Sequence, residues 1–146
     1  MTISHIKTRL VDVLEERIPI DETKDIVIAR QRGRQLAHQY AFSKSEQTRF
    51  ATAISELTRN VLTYANCGYC LFSVTCAEKK DVISARIIDN GPGIENIKLA
   101  LQDGYSGGSG LGLGLPGAKR LVHSIFIESS PGLTTIDIAM CRQKRS

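Results

Sequence analysis

The feature that most constrains this chain is a glycine-rich run, GGSGLGLGLPG, at residues 107–117. Nine of the 12 glycines lie between Gly91 and Gly117. Ordering a glycine costs more conformational entropy than ordering any other residue, so such a run weakens helices and strands. Leucines alternate with the glycines and a helical pattern follows, which is not the composition of a linker. A glycine loop that leads into a helix presents free N–H groups, and it therefore predicts a phosphate-binding site.

Length and charge restrict the class of protein. The 146 residues suffice for one domain, and 42% apolar with 23% charged residues is typical of a globular protein. The net charge is +4, but basic residues are dense only in the tail, at Arg142, Lys144 and Arg145. We interpret this tail as a solvated, frayed C-terminus rather than a nucleic-acid site. Neither a membrane span nor a signal peptide is recognisable, which predicts a cytoplasmic protein without membrane or nucleic-acid partners.

Two of the four cysteines, Cys67 and Cys70, form a C-x-x-C pair. This pair raises zinc or redox chemistry as a hypothesis. A structural zinc site needs four ligands, and the sequence has no second pair. Cys70 and Cys76 fall on one face of a predicted strand. The pattern therefore favours a core or turn role for these thiols.

Hydrophobic periodicity predicts an α+β fold. Apolar residues recur at helical spacing from Glu22 to about Tyr40, and a capping box at Ser43 and Glu46 opens a second helix to about Ala65. Shorter helices are predicted at 95–104 and 115–123, and strands at 17–20, 69–76, 81–89, 125–129 and 134–141. We expect a two-layer sandwich in which helices cover one face of an antiparallel or mixed sheet.

The two long helices are amphipathic, and their apolar faces name the expected core. The residues predicted to be buried are Ile26, Ala29, Gly33, Leu36, Ala37, Tyr40, Phe50, Ala53, Ile54, Leu57, Val61 and Tyr64.

Common phosphate motifs do not account for the glycine run. Gly112, Gly114 and Gly117 match G-x-G-x-x-G, but no strand leads directly into them and Pro116 interrupts the pattern. A P-loop requires Gly-Lys-Ser/Thr, whereas Gly117 is followed by Ala118. The dinucleotide and P-loop interpretations are both weak.

Two other segments carry suitable polar groups. Asp89 ends the strand in IIDNGPGI, where its carboxylate can accept a hydrogen bond from an exocyclic amine such as that of adenine. Glu56 and Asn60 lie one helical turn apart in ELTRN, on one face. A carboxylate and an amide so placed suit an attacking hydroxyl and Mg²⁺, which prefers oxygen ligands. An ordinary polar helix face and an Asx turn are the alternatives for these residues.

Together these segments resemble the GHKL (Bergerat-fold) ATPase and kinase superfamily, in which an E-x-x-x-N helix, a D-x-G-x-G turn and a G-x-G-x-G loop surround ATP. The matching positions are Glu56–Asn60, Asp89–Gly93 and Gly108–Gly114. The chain looks most like the small serine/threonine kinases of bacterial partner-switching modules (the RsbT-like kinases). The resemblance covers residues 17–141, with a variable segment at 1–16 and a basic tail at 142–146.

The resemblance implies roles for particular residues. Glu56 would act as general base or orient the acceptor hydroxyl, Asn60 would bind Mg²⁺, and Asp89 would bind the adenine amine. The implied ATP-contacting residues are Asn60, Asp89, Gly91, Gly93, Gly108, Gly110, Leu111, Gly112, Leu113, Gly114 and Thr134.

The family likeness also implies partners. Such a kinase phosphorylates serine or threonine on a STAS-domain antagonist and, once released, activates a PP2C-type phosphatase. A homodimer is an open alternative. Leu133 stands where the family often has a glycine, and no arginine lies between Gly93 and Gly108, so Lys98 or Lys119 is the candidate for γ-phosphate charge. For Arg59 a surface salt bridge and a phosphate contact are equally favoured.

Two other functions compete with this reading. A nucleotide-gated binding module, similar to an anti-sigma factor, would hold ATP without efficient transfer. A histidine-kinase catalytic domain is disfavoured because no phosphoacceptor helix is recognisable. The nature of the phosphorylated residue separates these hypotheses.

Overall fold

A computed structural model describes residues 12–102 and 114–144, with side chains from Glu15 onward. The elements in these ranges are β1 (Asp12–Ile20), α1 (Thr23–Gln39), α2 (Lys44–Tyr64), β2 (Gly68–Cys76), β3 (Lys80–Asp89), α3 (Ile97–Ala100), α4 (Leu115–Leu121), β4 (Ser124–Ser130) and β5 (Leu133–Gln143). Within the described ranges, no helix combines the length and the apolar character that crossing a bilayer requires.

The five strands form one sheet in the order β1-β2-β3-β5-β4, and every neighbouring pair is antiparallel. Along β2 and β3, buried residues alternate with more exposed ones, because one face of the sheet lies under the helices. The expected α+β sandwich is confirmed. Strand β4 lies at the edge of the sheet, outside β5. The chain between β3 and β4 contributes α3 and α4 before it returns to the sheet.

The helix layer is built on α2, which packs against both α1 and α4. Phe50 of α2 meets Phe72 of β2 edge to face, with ring centroids 6.5 Å apart. The predicted buried positions are confirmed, apart from Tyr40 and Tyr64, which are half-buried at the helix ends.

Both long helices begin with reciprocal caps. In α2, Ser43 Oγ accepts from the Glu46 amide at 3.1 Å, and Glu46 Oε1 accepts from the Ser43 amide at 2.9 Å. This confirms the predicted capping box. In α1, the buried Asp25 carboxylate accepts from the amides of Asp21 and Glu22, both at 2.9 Å. These two backbone hydrogen bonds lower the pKa of Asp25.

Among the element boundaries that differ from expectation, three have a clear local cause. The helix predicted at 95–104 is a single turn, α3, whose Asn96 side chain caps the Leu99 amide. Helix α4 ends at Leu121 rather than His123, because Val122 is extended and the His123 amide already pairs with the Ala139 carbonyl. Strand β1 starts at Asp12, five residues before the predicted strand, because it pairs with β2 along its whole length.

The basic C-terminus is not frayed where the structure describes it. Arg142 Nη2 lies 3.4 Å from Asp81 Oδ2, and Lys144 Nζ lies 3.0 Å from Asp81 Oδ1. Asp81 is only 4% exposed, so burial of its charge requires such partners. The expectation of a solvated tail is therefore wrong for Arg142 and Lys144.

The two cysteines of the C-x-x-C pair lie in different elements, Cys67 in a turn and Cys70 in strand β2. Cys70 is fully buried in the core on the same face as Cys76, and burial raises the pKa of the Cys70 thiol. Cys67 is exposed in the turn before β2. The predicted core and turn roles are confirmed.

Candidate nucleotide site

Helix α2 presents a half-buried stripe that contains Glu56 and Asn60. Leu57 and Thr58 point into the core, and the Thr58 hydroxyl donates to the Ile54 carbonyl at 2.7 Å. Glu56 and Asn60 therefore lie at the border between the core face and solvent, one turn apart. The structure places these two predicted residues together.

Gly114, the N-cap of α4, lies directly against Glu56. Its φ of +69° is in the left-handed region. A Cβ built on Gly114 would lie 2.8 Å from Glu56 Oε2 and 3.3 Å from Glu56 Cβ. The carboxylate thus occupies the space that any side chain at 114 would need. This contact joins the end of the glycine run to the Glu56 carboxylate.

Asp89 continues the helix-facing row of β3 and is half-buried. Its Oδ1 accepts from the Gly91 amide at 2.9 Å, so the Asx turn considered from the sequence does form. That bond fixes Oδ1 as an acceptor within the turn. Burial raises the pKa of Asp89, and the hydrogen bond from Gly91 partly opposes this shift.

The turn after Asp89 packs against α2 and the β4–β5 hairpin. A Cβ on Gly91 would lie 2.8 Å from Ala65 Cβ, at the C-terminal end of α2. Gly93 has a φ of +90°, and a Cβ there would lie 2.8 Å from the Ser130 carbonyl oxygen. Gly91 also accepts a hydrogen bond from the Gly132 amide at 2.9 Å. The turn is therefore held from both sides.

Thr134 lies beside Asp89 because the two residues are register partners in the β3–β5 ladder. Its buried hydroxyl is 2.6 Å from Ser129 Oγ, which also accepts from the Ile94 amide at 2.8 Å. Ser129 was not predicted from the sequence. It closes a network that joins β4, β5 and the loop after Gly93.

Two of the predicted site glycines contact α2 at separate points along its length. Gly114 meets Glu56, and Gly91 meets Ala65, nine residues later. At 1.5 Å per residue these contacts are about 14 Å apart along the α2 axis, with Asn60 between them. The predicted groups therefore form an extended row rather than a compact cluster. The predicted contacts Gly108, Gly110, Leu111, Gly112 and Leu113 lie outside the described residues.

A pocket of about 510 Å³ lies between α3 and α4. Its lining residues are Lys98, Leu101, Gln102, Pro116, Lys119 and Arg120. Both lysines considered for phosphate charge therefore line one cavity. Together with Arg120 they make it cationic.

Arg59 extends from α2 into solvent and pairs with Glu56. Its Nη1 donates to Glu56 Oε1 at 3.0 Å. Of the two roles considered for Arg59, the structure shows the salt bridge, and its partner is the expected general base.

Residues 45–143, more than half of the chain, match the model of the histidine kinase-, DNA gyrase B- and HSP90-like ATPase family. The chain belongs to this family. The match includes all of the predicted site residues, from Glu56 to Thr134. Membership in this ATPase family supports ATP as the bound nucleotide.

One curated relative refines the family assignment. The chain is 42% identical over 108 residues to the serine/threonine-protein kinase RsbT of Bacillus subtilis, covering 74% of this chain and 81% of that protein. This match confirms the expected enzyme class, a protein serine/threonine kinase.

A solved structure supports the fold. It is the crystal structure of the RsbU and RsbW domains of Rv1364c from Mycobacterium tuberculosis, which superposes with a TM-score of 0.59 at 18% identity over 93% of this chain. The chain spans 34% of that larger protein. The ATPase-family fold is thus shared with only part of it.

Proposed function

We propose that this chain is an ATP- and Mg²⁺-dependent kinase that phosphorylates serine or threonine on a STAS-domain partner of a bacterial partner-switching module. The similarity to RsbT supports the reaction and the type of partner. The observation that carries the proposal is the contact of Gly114 with Glu56, because it brings the glycine run to a carboxylate suited to a general base.

In this proposal, residues on and beside α2 have separate roles in phosphoryl transfer. Asp89 accepts a hydrogen bond from the adenine amine, and the amides of the glycine run hold the phosphates. Glu56 takes the proton from the acceptor hydroxyl as its oxygen bonds to the γ-phosphorus. The bond between that phosphorus and ADP breaks, and ADP leaves with the electron pair. Positioning and charge neutralisation dominate such reactions, and a general base adds about 10²–10⁴-fold.

The residues present fit a magnesium ion. Asn60 offers an amide oxygen one turn from Glu56, and Mg²⁺ usually takes only one or two protein ligands beside phosphate oxygens and water. Bound there, Mg²⁺ would neutralise phosphate charge. In that arrangement Asn60 holds the ion while Glu56 stays directed toward the acceptor hydroxyl.

We assign the γ-phosphate charge to Lys98 and Lys119, which line the pocket between α3 and α4. They flank the glycine run on both sides in sequence, and no arginine lies between Gly93 and Gly108. The kinase domain of the proposal spans residues 17–141, and strands β1 and β5 extend it to Asp12 and Gln143. We propose that the protein acts in the cytoplasm. After transfer, the released kinase binds and activates a PP2C-type phosphatase.

The test is transfer of labelled phosphate from ATP with Mg²⁺ to candidate STAS-domain proteins. Wild type is compared with Glu56→Ala and Asn60→Ala, and Gln31→Ala on the exposed face of α1 is the matched control. We expect label on serine or threonine that both site substitutions abolish and the control retains. Tight ATP binding without transfer to any partner would favour a nucleotide-gated binding module. Label on histidine would contradict the proposal.

A further inference from the structure

The two oxygens of the Glu56 carboxylate have different neighbours. Oε1 accepts from Arg59 Nη1 at 3.0 Å, and Oε2 faces the backbone of Gly114. Arg59 and Glu56 are three residues apart on α2, so the pair forms on one side of a single helix. The ion pair therefore restricts the orientation of the carboxylate, with Oε2 on the side of Gly114.

Stability does not explain this pair. The Arg59 side chain is 56% exposed and that of Glu56 is 40% exposed. Exposed ion pairs contribute little to folding because water screens them and long side chains lose entropy when they pair. A base that must reach an acceptor hydroxyl, by contrast, gains directly from a restricted orientation.

From this geometry we infer that Arg59 is a positioning residue for phosphoryl transfer, which holds Glu56 Oε1 so that Oε2 is directed at the acceptor hydroxyl beside Gly114. The inference rests on the proposed function of Glu56. Arg59 itself contacts neither the hydroxyl nor the transferred phosphate in this arrangement. Its effect therefore passes entirely through Glu56.

The first experiment measures steady-state kinetics of transfer to the STAS-domain partner. Arg59→Ala should lower kcat about 10- to 100-fold, because a misplaced general base slows transfer by about that factor. The same substitution should change the KM for ATP and the affinity for ADP by less than about 3-fold. Arg59→Lys should recover most of the loss, since a single contact needs one cationic donor. The control is Arg34→Ala, which removes an exposed arginine bound only weakly to Thr48 at 3.4 Å.

The second experiment is a double-mutant cycle with Glu56→Gln, measured by single-turnover transfer. A positioning residue acts only through the base, so Arg59→Ala should have no further effect once Glu56 is replaced. An additional loss in the Glu56→Gln background, or a rise in the KM for ATP alone, would mean that Arg59 contacts phosphate and would overturn the inference. Unchanged kcat in Arg59→Ala, with impaired Glu56→Gln, would also overturn it.

Different results would contradict the proposed function of Glu56 and the positioning role of Arg59. Full transfer by the Glu56→Gln variant would contradict the proposed function of Glu56, and the inference with it. Impaired transfer by Glu56→Gln together with a normal Arg59→Ala variant would remove only the role of Arg59.

Discussion

The backbone of Gly114 packs directly against the Glu56 side chain. A residue without Cβ is favoured at 114, since a Cβ would lie 2.8 Å from Glu56 Oε2 and the φ of +69° is strained for other residues. Among the described residues, none places an atom within 4 Å of a Cβ built on Gly117, three residues later in α4. A side chain is therefore disfavoured at Gly114 and tolerated at Gly117.

Gly114→Ala should displace Glu56 and lower phosphoryl transfer at least about 10-fold, because the base leaves its position. Left-handed backbone in a non-glycine residue should also cost about 1–3 kcal/mol of stability. Gly117→Ala should instead stabilise the protein by about 0.4–1 kcal/mol and preserve activity. Urea unfolding and kinase assays of both variants test this. Equal behaviour of the two variants would contradict it.

Asp89 combines a proposed adenine contact with a cost to stability. Because burial raises its pKa in the folded chain, its contribution to stability is fullest below the unfolded pKa of about 3.9 and is lost as pH rises through the folded pKa. At neutral pH the ionised carboxylate is therefore unfavourable for folding. A polar group kept at such a cost is typical of a binding site.

Asp89→Asn should unfold at higher urea concentration than wild type at pH 7, with the difference vanishing near pH 3. The same variant should bind ADP about 10- to 100-fold more weakly, because a hydrogen bond to a charged group contributes about 1.5–3 kcal/mol. Asp21→Asn, in the exposed turn before α1, is the control for charge. Isothermal titration and urea unfolding measure both effects. Unchanged ADP affinity would exclude Asp89 from the adenine contact.

At the scale of elements, helix ends hold the layer that carries the site. At the start of helix α1, the Asp25 side chain accepts hydrogen bonds from the backbone amides of Asp21 and Glu22, which precede it. The lowered pKa of Asp25 follows from these bonds. Its stabilisation is present above the unfolded pKa and is lost as pH falls through the folded one.

Asp25→Ala should destabilise the protein by about 0.5–2 kcal/mol at pH 7, as for other lost caps. The difference from wild type should shrink as pH falls below about 4. Gln31→Ala, at an exposed position of the same helix, should change stability by less than about 0.5 kcal/mol. Urea unfolding at several pH values is the measurement. A difference that persists undiminished at low pH would show that the Asp25 charge is irrelevant.

At the scale of the whole molecule, the end of β5 ties the sheet to the helices. Arg142 Nε donates to the Tyr40 carbonyl at the end of α1 and its Nη2 pairs with Asp81 of β3. Lys144 Nζ donates to the Ala77 carbonyl at 2.8 Å and pairs with the same carboxylate. The two cations that pair with Asp81 thus link the end of β5 to the C-terminal end of α1 and to the turn between β2 and β3.

The replacement of Arg142 and Lys144 by Ala should cost about 3–5 kcal/mol, because Asp81 is then buried without its cations. Asp81→Asn should cost less, since the two cations are each about 30% exposed and can be hydrated. The charge-matched control replaces the exposed Lys79 and Lys80 by Ala. Chemical unfolding ranks the three. A smaller cost for the cation pair than for Asp81→Asn would contradict this account.

Local patterns in the sequence determined most elements of this protein and the order of its motifs. Helical periodicity, the Ser43 capping box and strand alternation depend on residues within a few positions of one another, so they are readable without a fold. The spacing of Glu56 and Asn60 along one helix face belongs to the same class.

Tertiary structure alone decided the contacts between distant segments. The pairing of Asp89 with Thr134, the bond of Ser129 to the Ile94 amide and the ion pairs of Asp81 each join residues at least 35 positions apart. Such contacts follow from strand register and from the return of β5 between β3 and β4. A one-residue slip in register would turn Thr134 to the opposite face of the sheet, and no local pattern specifies that register.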